Sequence, residues 1–171
     1  MKTGLHMTQT INLPRPAPEN SGHRDRLAQN PDRLFCYGTL QFDDVLEALL
    51  GRIPARTPAS APGWRAAALE GRVYPGLVVN ALGGAAAGML LTGLSDEEWA
   101  ILDAFEDRRY ELLEIPLANG ERGWAYIWQD GEVREEDWDA ETFETQHLEE
   151  YAARCARISE KLTADLREGA Q

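Results

Sequence analysis

The sequence predicts an α+β fold, a small mixed β-barrel or sheet with flanking helices and a long C-terminal helix. Three observations predict it. Short apolar runs alternate with Gly and Pro turn signals along most of the chain, as strands do. The helical patterns among them follow no regular strand–helix alternation, which argues against a doubly wound sheet. From about Ala140, Leu148, Tyr151, Cys155, Ile158 and Leu162 recur at helical spacing and mark one apolar stripe. No internal repeat is present.

Taken in order, residues up to about Pro31 are rich in Pro, Asn, Ser and Gly and read as a mobile arm. Its first residues, 1–6, precede a second methionine, Met7, and read as a tag or an alternative start. Residues 34–37 form a buried strand that stops at Gly38. Residues 43–50 have helical spacing in Val45, Leu46, Leu49 and Leu50, closed by Gly51. The stretch 53–63 holds three prolines and reads as a loop. Strands follow at 64–69, 77–79 and 88–91, separated by turns at Glu70-Gly71, Tyr74-Pro75-Gly76 and Gly83-Gly84.

The most distinctive stretch is 94–110. Ser95 and Glu98 form a capping box, with Leu94 and Trp99 spaced as a hydrophobic staple. After this helix, Leu113, Ile115 and Leu117 alternate with Glu114 and Pro116, and Pro116 argues for an edge or bulge. Asn119-Gly120 turns the chain into Trp124, Tyr126 and Trp128, a β-hairpin. Asp130-Gly131 ends it, and an acidic run leads to the late helix. The expected organisation is an arm over 1–31, one domain over 32–138 and a helical extension over 139–171.

Composition bounds the function. The 171 residues carry 17 basic and 29 acidic side chains, a formal charge of −12, which repels phosphate backbones and argues against nucleic acid as a partner. No apolar run reaches the length of a membrane span, and the N-terminus lacks a secretory h-region. Two cysteines, Cys36 and Cys155, make no disulfide framework; both read as small buried hydrophobes in a reducing, cytoplasmic setting. His6, His23 and His147 are not grouped with acids at ligand spacing, so no metal is expected. The serines at 21, 60, 95 and 159 lack a nucleophile-elbow context.

Two features point to chemistry. Trp99, Leu102 and Glu106 fall at i, i+3 and i+7, so Glu106 continues an apolar stripe, whereas Asp96, Glu97 and Asp103 serve as solvent-facing acids. A carboxyl in apolar surroundings has a raised pKa, and a value of roughly 6–7 suits a proton shuttle. The other reading has Glu106 leave the core at the frayed helix end, paired on the surface within the run Asp107, Arg108, Arg109. The second feature is the turn Tyr37-Gly38-Thr39-Leu40. Gly38 permits a sharp bend, successive amides there can cradle an anion, and Thr39 adds a hydroxyl. An ordinary strand-to-helix turn is the alternative.

These residues also carry a resemblance. Tyr37-Gly38-Thr39-Leu40 after an N-terminal strand resembles the signature turn of the gamma-glutamylcyclotransferase family, in its AIG2-like branch. The likeness continues in Val73-Tyr74-Pro75-Gly76, in Leu102-Asp103-Ala104-Phe105-Glu106 with Tyr110, and in the hairpin bearing Tyr126. Trp138, Phe143, His147 and Leu148 resemble the C-terminal extension of AIG2-like proteins, so the match spans about 34–151. The resemblance implies a compact barrel with flanking helices and no cofactor. It implies that the amides of Tyr37, Gly38, Thr39 and Leu40 hold a substrate carboxylate, and that Glu106 is the acid–base that cyclises a gamma-glutamyl group to 5-oxoproline. Tyr110 and Tyr126 line the pocket, donate hydroxyl hydrogen bonds, or simply pack the core. Asp107 and Leu112 depart from the family pattern, which usually has glycine and arginine there; both bear on the leaving group. A non-catalytic small-molecule-binding module and a gamma-glutamyl hydrolase or acyltransferase are the alternatives.

Overall fold

A computed structural model describes residues 25–169. Among them, eight strands form one mixed sheet, in the path β2-β5-β1-β7-β4-β3-β8 with β6 paired to β7. The strands are β1 (Leu34–Cys36), β2 (Ala55–Pro62), β3 (Trp64–Leu69), β4 (Gly76–Val79), β5 (Ala85–Thr92), β6 (Tyr110–Pro116), β7 (Arg122–Trp128) and β8 (Val133–Asp137). The helices are α1 (Asp43–Leu50), α2 (Asp96–Phe105), α3 (Ala140–Gln146) and α4 (Leu148–Gly169). The pairing leaves β2 and β8 as ends, so of the two expected forms it is an open sheet and not a closed barrel.

Strand β7 is the axis. Trp124, Tyr126 and Trp128 face the main core, while Ala125 and Ile127 face a second, smaller one. This strict alternation is what a strand buried on both faces requires. The main core is completed by helices: Leu46 and Leu49 of α1, Leu102 and Phe105 of α2, Phe143 of α3, and Tyr151 and Cys155 of α4. The second core draws Phe35, Ala61, Leu77, Leu90, Ile115 and Ile127 from six strands and no helix. A core made by strands alone requires the sheet to curl round on itself, so the fold goes part of the way to a barrel.

Several expected elements hold. Helix α1 spans the expected residues and ends at Gly51, in the left-handed conformation that glycine adopts without strain. The Ser95–Glu98 capping box is formed in both directions. The hairpin pairs Tyr110 with Trp128 through to Pro116 with Arg122.

Others need correction. The proline-rich stretch is no loop: it contains β2, paired along its whole length with β5. Prolines are tolerated there because β2 is an edge strand, where a missing N–H costs no ladder bond on the outer side. The acidic run after the hairpin is β8, a fully exposed edge strand on β3. The late helix is two helices, interrupted at His147. The expected arm differs at its end, where Arg26–Gln29 form a 3₁₀ turn capped by the Asp25 side chain. The remainder of the arm, including the segment before Met7, lies outside the described residues. No described helix is long and apolar enough to cross a membrane.

Candidate active site

Strands β1 and β4 both lie parallel to β7, β1 meeting it at Trp124 and β4 at Ile127. Because β6 occupies the other edge of β7, β1 and β4 share one edge, one beyond the other. The chain leaves β1 at the division between them, and a small, partly open cavity of about 30 Å³ sits there. Tyr37, Gly38, Thr39, Leu40, Glu106, Tyr110 and Tyr126 all line it. The seven residues singled out from the sequence thus surround one hollow.

The turn is tightly held. A side chain at Gly38 would place its Cβ 2.8 Å from Pro75 Cγ, so glycine is required here by close approach. Thr39 and Leu40 start a short 3₁₀ turn, Thr39–Gln41, whose first internal bond runs from the Gln41 amide to the Gly38 carbonyl. The amides of Thr39 and Leu40 come before that bond, as the leading amides of any helical turn do.

All five tyrosines of the chain, Tyr37, Tyr74, Tyr110, Tyr126 and Tyr151, line the cavity. Their hydroxyls are engaged with protein. Tyr37 donates to the Tyr126 carbonyl, Tyr110 to the Pro75 carbonyl at 2.6 Å, Tyr126 to Asp103 Oδ1 at 2.8 Å and Tyr74 to Asp107 Oδ2 at 3.3 Å. Tyr151 accepts from the Thr39 hydroxyl at 3.4 Å. The hydroxyl bonds of Tyr110 and Tyr126 therefore tie the walls together, and their rings pack edge to face, 6.2 Å apart.

Among the described residues Glu106 is the one carboxyl on the wall. It does not extend the helix. Helix α2 stops at Phe105, and Glu106 is its C-cap with extended backbone, so the chain's exit brings it to the hollow, not the i+7 spacing. Burial raises its pKa to about 8; Arg26 opposes the rise, while the charges of Asp103 and Asp107 add to it. These influences act through desolvation and through space, with no hydrogen bond to the carboxyl among the described residues.

The neighbouring charges do not form the surface pair with Glu106 that the run of Asp and Arg suggested. Asp107 is buried and held by Arg109, through its backbone N–H, Nε and Nη2 at 2.9, 3.0 and 2.7 Å. Burial resists ionisation of Asp107, but the Arg109 bonds outweigh it and keep its pKa below the usual carboxylate value. Asp103 is not a solvent-facing acid either: it pairs with Arg26 Nε at 2.9 Å and accepts from Tyr126.

Tyr74, Pro75, Tyr151 and Arg26 were not singled out as site residues. Tyr74 and Pro75 stand in a turn that forms part of the family likeness, but the likeness gives them no role in the site. Tyr151 sits in the apolar stripe of α4, where a tyrosine looks like core. Arg26 lies in a stretch with no periodicity.

The site of this α+β protein is thus a tyrosine-walled hollow at the split edge of an open mixed sheet, with a glycine turn and the Glu106 carboxyl on its wall. The family model described as gamma-glutamyl cyclotransferase, AIG2-like, matches residues 34–142. The chain is 31% identical over 137 residues to AIG2-like protein D of Arabidopsis thaliana, covering 75% of this chain and 90% of that protein. It is 30% identical over 134 residues to AIG2-like protein C of the same organism, covering 74% and 77%. A solution structure of an Arabidopsis thaliana protein superposes with a TM-score of 0.55 at 28% identity, over 80% of this chain and 96% of that one. The chain belongs to the gamma-glutamyl cyclotransferase family, in its AIG2-like branch.

Proposed function

We propose that the protein is a gamma-glutamylcyclotransferase that closes a gamma-glutamyl group to 5-oxoproline and releases an amine or amino acid. The observation that carries this reading is the placement of Glu106: a carboxyl of raised pKa sharing one small hollow with the backbone of Tyr37–Leu40. The leading amides of that turn suit the alpha-carboxylate of a gamma-glutamyl substrate. Ionised Glu106 takes a proton from the substrate's alpha-ammonium group. The freed nitrogen bonds to the gamma-carbonyl carbon, closing a five-membered ring. Glu106 returns its proton to the leaving nitrogen as its bond to that carbon breaks, and the ring nitrogen gives up its second proton to the departing amine, which leaves as an ammonium. The carboxyl ends as it began.

Magnitudes favour this division of labour. Raised to about 8, the Glu106 carboxylate is a far stronger base toward the substrate's alpha-ammonium group than an ordinary carboxylate at 4.5. Acid–base help of this kind is worth roughly 10²–10⁴-fold. Nucleophile and electrophile belong to one molecule, so holding it in the right shape supplies much of the rest. The turn and the tyrosine walls serve that purpose.

The test is product identity. The full chain, incubated with a panel of gamma-glutamyl dipeptides and gamma-glutamyl amines, is expected to yield 5-oxoproline and free amine. Release of free glutamate makes it a hydrolase. Saturable binding without any product makes it a non-catalytic binding module.

A further inference from the structure

We infer that Arg26 is a positioning residue for Glu106, so that the segment preceding the family-matched region completes the site. The inference rests on the proposed role of Glu106. Arg26 stands outside residues 34–142 and off the wall of the cavity, yet its guanidinium fork is the hub behind that carboxyl. Nη1 donates to the carbonyls of Asp107 and Tyr110 at 2.9 and 3.0 Å. Nη2 donates to those of Asp103 and Glu106 at 2.7 and 3.3 Å. Nε meets Asp103 Oδ1 at 2.9 Å, and the carbon between the nitrogens lies 5.1 Å from the centre of the Tyr126 ring.

Those contacts answer a local need. The last carbonyls of a helix have no internal partners and carry partial negative charge. Helix α2 has no basic residue in its last turn to meet them. Arg26 meets them from another part of the chain and ties the end of α2 to the start of β6, fixing the short loop that carries Glu106. Only a planar fork reaches carbonyls on several sides at once. The same group fixes Asp103, which in turn receives the Tyr126 hydroxyl, so one wall of the cavity is braced through it.

Arg26 also acts on Glu106 by charge. The titratable groups facing Glu106 come from every element around it: Cys36 and Tyr37 from β1 and its turn, Asp103 and Asp107 at the end of α2, Tyr110 on β6, Tyr126 on β7, and Tyr151 and Cys155 on α4. Burial holds these tyrosines and cysteines in their neutral forms. Arg26 is the cation in this set that favours the ionised form of Glu106.

The test uses the full chain with Arg26→Met and Arg26→Lys, a carboxyl-carbon NMR titration of Glu106 assigned with Glu106→Gln, and the pH profile of kcat/KM. Arg26→Met is expected to move the Glu106 titration to higher pH, with about a tenfold loss of kcat/KM at pH 7 that recovers toward alkaline pH. Arg26→Lys keeps the charge without the fork, so its kcat falls at all pH values while the titration stays near wild type. A folded Arg26→Met with unchanged Glu106 titration and pH profile overturns the inference. Should Arg26→Met not fold, wild-type kcat in Arg26→Lys overturns it. If wild type makes no 5-oxoproline but the titration still moves, the proposed reaction falls and the positioning of Glu106 by Arg26 stands.

Discussion

At the scale of single residues, Glu106 is costly to the fold. Its folded pKa, about 8, lies above the ordinary 4.5 that the unfolded chain shows. Between those values the folded protein holds a proton that the unfolded chain releases. Its contribution to stability is thus fully present below pH 4.5 and is lost as pH rises through 8. Glu106→Gln removes that dependence, so wild type is expected to lose more Tm than the variant on going from about pH 6 to about pH 9. Parallel Tm-against-pH curves from calorimetry contradict the assigned titration. A group that destabilises its own protein at neutral pH, in a hollow lined by tyrosines, fits a functional site better than a structural one.

At the scale of elements, helix α2 delivers Glu106. Its start is fixed by Ser95 and Glu98, and Arg52 grips the Glu98 carboxylate with two bonds of 2.6 Å. Its middle is fixed by Leu102, fully buried in the main core, where α2 packs against α1 and α4. Leu102→Ala is expected to cost about 2–5 kcal/mol by denaturant unfolding, and a loss below about 1 kcal/mol contradicts the packing described. This helix and the β6–β7 hairpin were legible in the sequence because their signals are local. Capping, helical spacing and an Asn-Gly turn between alternating aromatics need no knowledge of the rest of the chain. Strands β2 and β8 were not legible for the opposite reason. Three prolines and a run of acids each oppose a strand locally, and only the neighbours β5 and β3 make them pair. Edge positions tolerate both compositions, and both guard the sheet against pairing with other chains. The halves of the site were visible as a glycine turn and a misplaced acid. The Arg26 contacts were not visible, because a guanidinium that reaches across 77 to 84 positions leaves no mark on local pattern.

At the scale of the whole molecule, the C-terminal helices belong to the core. Tyr151 and Cys155 are fully buried, Phe143 packs against Tyr151 with ring centres 5.2 Å apart, and the Ser159 hydroxyl donates to the Leu49 carbonyl of α1 at 2.7 Å. Deleting the chain after Asp139 therefore strips one face of the main core and one wall of the cavity. The truncated protein is expected to lose its cooperative unfolding transition in circular dichroism; a cooperative transition near the wild-type Tm contradicts this role for α4. The sheet's split edge, the turn after β1, the exit of α2 and the face of α4 meet at one place, the cavity that holds Glu106.

The most direct measurement compares wild type with Glu106→Gln on one substrate from the active part of the panel, following 5-oxoproline formation alongside ligand binding by calorimetry. Glu106→Gln is expected to bind with affinity within a few-fold of wild type and to form product at least a hundredfold more slowly, the share that general acid–base help supplies at about 10²-fold or more. Turnover by Glu106→Gln at the wild-type rate contradicts the central claim.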